Sequence, residues 1–211
     1  MRIVAGEFRS RRLKSLPGDV TRPTPDRLRE TIFDILQTRI ERAVFVDAYA
    51  GTGAVGIEAL SRGARHVFFL EKNRAALEAI RANLASLKAE RRATVYPGAA
   101  LLTLEGCRAA DIVFLDPPYD LEREYPAALE VLGANPPRLA IAQHAIRLKL
   151  ADRYGGLERT RLLKQGDNAL SFYAPRLQTD ASPRGAEEDP PAQGAKEGAT
   201  SPPAELPTEV R

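Results

Sequence analysis

The chain has 211 residues and a mass of 23.1 kDa, which suits one domain with room for an appendage. Its hydrophobic content of 44% supports a real core, yet no apolar run reaches the roughly 18 residues of a membrane span and no apolar stretch of a secretory leader follows Met1. The lone Cys107 excludes an internal disulfide and fits a reducing cytoplasm, and with only two histidines neither a zinc site nor a cysteine nucleophile is expected.

The net charge of +3 hides an asymmetry. Residues 178–211 carry seven acids against three bases, with six prolines and almost nothing large and apolar. Such a segment buries too little surface to offset its ordering entropy, so it reads as a disordered tail. The remaining body is then +7, with 28 basic against 21 acidic residues, and points to an anionic partner.

Residues 1–20 read as a basic ribbon turning at Gly6, with Arg9, Arg11, Arg12 and Lys14 interleaved among apolar residues. In Thr21-Arg22-Pro23-Thr24-Pro25-Asp26, Thr24 is a good N-cap, Pro25 fits the first helical position and Asp26 suits the helix dipole. Leu28, Ile32, Ile35 and Leu36 continue at helical spacing, predicting a helix over about 25–40. Strands are then expected at 44–47, 66–70, 93–96, 111–115 and 139–142. Helices fall between them, through Ile57 and Leu60, along the stripe Leu77, Ile80, Leu84 and Leu87, over 99–105, and around 124–133. Strands near 159–164 and 168–173 are close enough to pair as a hairpin. This alternation predicts an α/β fold of residues 21–177, a doubly wound, seven-stranded, mostly parallel sheet ending in an antiparallel hairpin.

Two segments carry the chemistry. Asp116-Pro117-Pro118-Tyr119 follows the apolar run Ile112 to Leu115, where two prolines forbid both strand and helix. The result is a stiff loop at a strand's carboxyl end, with one carboxylate, free carbonyls and one aromatic ring. That set can hold a planar, amine-bearing group. The second segment, Asp47 to Gly56, joins the first strand to its helix through Ala50, Gly51 and Gly53. Its Gly-x-Gly-x-x-Gly spacing, with Glu71 about 20 residues on, also fits a dinucleotide fingerprint. Asp47 tips the balance, because a pyrophosphate there would meet a like charge whereas a cationic amine would find a partner. S-adenosylmethionine, with an α-ammonium, a ribose diol and no phosphate, suits Asp47 and Glu71 better than NAD does.

Together these segments resemble the class I S-adenosylmethionine-dependent methyltransferases that modify exocyclic amines, a Rossmann-like fold. Thr21-Arg22-Pro23-Thr24 with Arg27-x-Arg29-Glu30-Thr31, the run from Ala50 to Ala64, and Gly166-Asp167-Asn168-Ala169-Leu170-Ser171-Phe172-Tyr173 are similar to the RsmD family. The resemblance covers residues 1 to about 174 and stops short of the tail. It implies methylation of a guanine N2 in 16S ribosomal RNA, within the small subunit or an assembly intermediate; a cytoplasmic monomer is expected. One departure is Pro97-Gly98-Ala99, where such enzymes often place an acid or Asn against the cofactor adenine.

In this reading Asp116 and the carbonyl of Pro117 accept the two N–H bonds of the amine, Pro118 stiffens the loop, and Tyr119 stacks on a base drawn from its neighbours. Asp47, Ala50, Gly51, Gly53, Glu71 and Asp116 form the cofactor site. Arg9, Arg11, Arg12, Lys14, Arg22, Arg27 and Arg29 face the RNA backbone. His144 is expected to be structural, and Asn168 and Ser171 to lie on a solvated strand face. The competing readings are a DNA adenine-N6 methyltransferase, an NAD-dependent oxidoreductase and a non-catalytic RNA-binding module that has kept the fold.

Overall fold

The computed structural model describes residues 1–16, 26–107 and 109–176, apart from the side chains of Asp26 and Tyr119. Thr24, Pro25 and the 178–211 tail therefore lie outside the described residues. In chain order the elements are α1 (Asp26–Leu36), β1 (Val44–Asp47), α2 (Ala54–Ser61), β2 (His66–Glu71), α3 (Arg74–Leu87), β3 (Ala93–Pro97) and α4 (Ala100–Leu104). There follow β4 (Ile112–Leu115), α5 (Glu124–Ala134), β5 (Leu139–Ala145), β6 (Arg153–Tyr154), β7 (Leu157–Gln165) and β8 (Asn168–Pro175). Helix α1 stops where Gln37 takes a left-handed φ of 41°, and the remainder of the expected helix is a 3₁₀ turn over Gln37–Ile40.

One sheet carries all eight strands in the order β3-β2-β1-β4-β5-β8-β7-β6. Strands β1 to β5 pair in parallel, and β8, β7 and β6 add antiparallel pairs. The expected class is correct and the expected seven strands become eight. The extra one, β6, is two residues long, too short to show any alternation in sequence.

The sheet divides two apolar layers, as full coverage of parallel strands demands. Phe45, Phe69, Phe114, Ile141 and Leu170 face α1, α2 and α3, packing on Ile32, Leu60 and Ile80. Val46, Val113, Leu115 and Ala142 face α4 and α5, packing on Leu104 and Leu129. Strand β4 is buried at every position, which explains its unbroken apolar run.

The amino-terminal ribbon is not a separate module. Met1–Leu177 forms one compact unit, and Ile3, Phe8 and Leu13 are buried in the layer that holds α1, α2 and α3. Arg2 and Arg12 bridge antiparallel, and the Ile3 and Ser10 N–H groups donate to Arg11 and Ile3 carbonyls. The ribbon is moored by Glu58 of α2, a fully buried acid that the apolar helix around it does not advertise. Its carboxylate accepts the Val4 and Ala5 N–H groups at 2.8 and 3.0 Å and the Arg62 Nε at 2.8 Å. Arg29 Nε lies 3.8 Å from the same carboxylate.

Candidate active site at the carboxyl ends of the strands

Between β1 and β4 the strand order reverses, because the chain runs outward through β2 and β3 and returns to start β4 beside β1. Open α/β sheets bind ligands in the crevice at such a switch point. Register places the acids there. Asp47 pairs with Phe69 on one side and Phe114 on the other. Glu71 and Asp116 each lie two residues beyond those partners, so all three carboxylates share the face toward α2.

Asp47 is buried, and its Oδ2 accepts the Gly56 N–H at 2.9 Å. Burial, with smaller contributions from the Asp116 and Glu71 charges, pushes its pKa up to about 7 against the help of the Gly56 hydrogen bond. No basic side chain of the described residues is ion-paired with it. A buried carboxylate short of a counter-charge fits a ligand that brings an ammonium group.

Glu71 holds the glycine turn from the other side. Its Oε2 accepts the Gly51 N–H and its Oε1 the Asn73 N–H, both at 2.7 Å. Gly51 has a φ of 53°, and a Cβ built there would meet nothing within 4 Å among the described residues. Its glycine therefore serves the backbone turn and leaves the space above it open to a ligand. Gly56 has a different reason, because a Cβ there would come within 2.3 Å of the Phe69 ring and wedge α2 off the sheet. Ala50 is buried, donates its N–H to the Leu70 carbonyl and accepts the Gly53 N–H.

In the Asp116 loop, Asp116 is half-buried, Pro117 buried and Pro118 exposed. Pro118 sits at φ −52° and ψ 147°, and its carbonyl accepts the Leu121 N–H, opening the 3₁₀ turn Tyr119–Leu121. The Tyr119 ring lies outside the described part. Tyr49, next to the switch point, leans on the layer beneath α5. Its hydroxyl is buried, and burial plus the nearby Glu124 carboxylate hold its pKa far above the usual phenol range.

The basic front divides. Arg9, Arg11, Arg12, Lys14 and Arg27 are exposed, and Arg22 lies outside the described residues. Arg29 corrects the expectation that it faces phosphate. It is fully buried, beside Glu58, and donates to the Arg2 carbonyl at 2.9 Å. Helical spacing from Leu28 and Ile32 turns it toward the ribbon.

Near the site, two polar residues escaped the sequence reading and a third was misplaced by it. Asn83 interrupts the apolar stripe of α3 and is buried. Its Oδ1 accepts the Lys14 N–H at 2.7 Å, and its Nδ2 donates to the carbonyls of Lys14 and Thr52, both at 3.2 Å. Ribbon and cofactor turn thus share one amide. Ser171 is buried, not solvated as expected, and its Oγ is 2.9 Å from His144 Nε2. His144 Nδ1 is 2.9 Å from the Ala145 carbonyl, and burial lowers its pKa, so the ring serves the fold as anticipated. Gln143 ends the row of strand-end polar groups. A polar residue directly after the apolar run at residues 139–142 was the available signal for it.

A family described as "Conserved hypothetical protein 95" matches residues 1–174. The Bacillus subtilis protein YlbH, assigned by name to the rRNA methyltransferases, is 31% identical over 184 residues, covering 83% of this chain and 100% of its own. "Ribosomal RNA small subunit methyltransferase D" of Haemophilus influenzae is 39% identical over 123 residues, spanning 56% of this chain and 64% of its own. Among solved structures, Escherichia coli yhhF, a methyltransferase by name, superposes with a TM-score of 0.73 at 30% identity, covering 84% of this chain and 99% of its own.

Proposed function

The chain belongs to the "Conserved hypothetical protein 95" family, the RsmD-type methyltransferases, and on that premise we propose that it methylates the exocyclic N2 amine of a guanine in 16S ribosomal RNA. The methyl donor is S-adenosylmethionine, and the enzyme acts in the cytoplasm as a monomer during small-subunit maturation. The observation that carries this reading is the row of Glu71, Asp47 and Asp116 across adjacent strand ends, closed by the Asp-Pro-Pro-Tyr loop.

The donor supplies an electrophilic methyl group on a sulfonium. Asp47 offers a buried carboxylate to its ammonium, and Glu71 one to its ribose hydroxyls. The open space over Gly51 admits the ligand against the backbone. Guanine N2 is a weak nucleophile because its lone pair is delocalised into the ring. Asp116 and the Pro117 carbonyl accept its two N–H bonds, which lets the nitrogen pyramidalise and turn its lone pair toward the methyl carbon. Burial of Pro117 keeps that carbonyl in place, and Tyr119 supplies the stacking face. As the N–C bond forms the S–CH3 bond would break to leave a neutral thioether, and the proton released from the nitrogen passes to Asp116 or to solvent. Arg9, Arg11, Arg12, Lys14 and Arg27 track the RNA backbone. A pyrophosphate ligand would meet the Asp47 and Glu71 carboxylates, which speaks against a nicotinamide enzyme.

Tritiated S-adenosylmethionine, offered with free 16S RNA, small subunits and duplex DNA in parallel, tests the reading. Label in guanine N2 of the RNA or the subunit is expected, and label confined to DNA would overturn it.

A further inference from the structure

We infer that Gln143 is a specificity-determining residue that selects guanine by accepting a hydrogen bond from the ring N1–H beside the reacting amine; this rests on the guanine N2 reading above. The residue continues the row of site carboxylates. Phe114 of β4 pairs with Ile141 of β5, and Asp116 and Gln143 each lie two residues beyond that pair. The spacing that puts Glu71 and Asp116 on the face of Asp47 therefore puts Gln143 there too, one strand past Asp116.

Gln143 is 5% exposed, and its Oε1 is buried with no hydrogen-bond partner among the described residues. A buried amide oxygen without a donor is costly, and such an atom at a ligand crevice is explained when the ligand brings the donor. Its backbone is held on two sides. The Tyr125 hydroxyl donates to the Gln143 carbonyl, and the residue pairs with Leu170 of β8. His144, the next residue, is fixed by Ser171 and by the edge of the Tyr125 ring. The amide is thus presented from a rigid strand, as a recognition group needs to be.

The chemistry is selective. Beside its exocyclic amine guanine carries N1–H, a donor, whereas adenine carries an N1 lone pair beside its own. With the amine held by Asp116, an acceptor one strand away meets a donor in guanine and a lone pair in adenine. An unmet acceptor is what lets a buried polar site reject a near-isostere.

The test uses 2-aminopurine, which keeps the C2 amine but has no hydrogen on N1. Once the target guanine is mapped, RNA oligonucleotides with guanine or 2-aminopurine at that position are compared by kcat/KM. The wild-type enzyme should prefer guanine by roughly ten- to a hundredfold. Gln143→Met, near-isosteric but a poor acceptor, should bring the ratio within about threefold by slowing guanine, with cofactor affinity unchanged. Gln143→Glu, which keeps an acceptor oxygen, should retain most of the preference. Equal rates for wild type, or a wild-type ratio in Gln143→Met, overturn the inference while leaving guanine methylation standing. Should Gln143→Met not fold, the wild-type ratio and Gln143→Glu decide alone. Wild type that leaves guanine unlabelled in 16S RNA and in small subunits overturns both readings.

Discussion

Replacing Glu58 tests whether the ribbon is built into the enzyme or merely attached to it. The buried carboxylate satisfies two ribbon N–H groups and Arg62, and lies against the fully buried Arg29. In Glu58→Ala the buried pair with Arg29 loses its acid, and removing one partner of a buried ion pair typically costs about 3–5 kcal/mol. The Val4 and Ala5 N–H groups are partly buried and recover some of their loss from water, so about 4 kcal/mol is a fair total. For the unit Met1–Leu177, an unfolding entropy of about 2.1 cal/mol/K per residue gives roughly 0.37 kcal/mol/K, so the melting temperature should fall by about 11 °C. Calorimetry reads that fall, and limited trypsin digestion below the transition should cleave faster after Arg9, Arg11 and Arg12. RNA affinity should drop as well, although no exposed cation has been removed. A melting shift under about 3 °C with unchanged cleavage would refute the mooring role, because losing a buried ion-pair partner together with two ribbon hydrogen bonds costs more than that.

Asp116→Ala should lower methyl transfer by at least about a hundredfold, far more than it weakens S-adenosylmethionine binding, since the amine loses its acceptor while the cofactor keeps Asp47 and Glu71; near-normal turnover removes Asp116 from the mechanism. Asp47, raised from 3.8 to about 7, binds its proton more tightly in the fold than in the unfolded chain. Stability from this group is therefore full below pH about 4 and lost as pH rises through about 7, at most on the order of 4 kcal/mol. Asp47→Asn keeps an acceptor for Gly56 but cannot ionise, so the melting temperature of wild type relative to the variant should fall across that window, and a pH-independent difference refutes the assignment. Joint replacement of Arg9, Arg11, Arg12 and Lys14 by alanine should flatten the slope of log affinity against log salt by roughly 3 for RNA, with cofactor binding untouched. Deleting the ribbon would be a poor substitute, because Ile3, Phe8 and Leu13 belong to the core.

Much of the fold could be read from the chain because its signals are local. An apolar run such as Ile112–Leu115 marks a strand covered on both faces, and Leu77, Ile80, Leu84 and Leu87 mark one side of a helix. What escaped depends on partners far away in sequence. Glu58 looks like a stray charge in an apolar helix until Val4 and Ala5, more than 50 residues earlier, come to meet it. Arg29 looks like one more cation in a basic front, and only the packing of α1 against the ribbon turns it inward.

The site divides along the same line. Asp47, Gly51 and the Asp-Pro-Pro-Tyr loop were legible because each breaks a local rule at the end of a strand. A carboxylate where the apolar run ends, a turn that needs positive φ and a paired proline all have few structural uses. Asn83 and Gln143 give only weak local signals, since a single polar residue within a helix stripe or after an apolar run is ordinary. Their meaning comes from register. Asn83 matters because Lys14 and Thr52 converge on it, which ties the edge of the basic ribbon to the turn that would hold the cofactor. Gln143 matters because the pair Phe114 and Ile141 sets it beside Asp116. The sequence motif thus points to the group proposed to react, whereas the proposed choice among bases rests on a strand pairing that no motif spans.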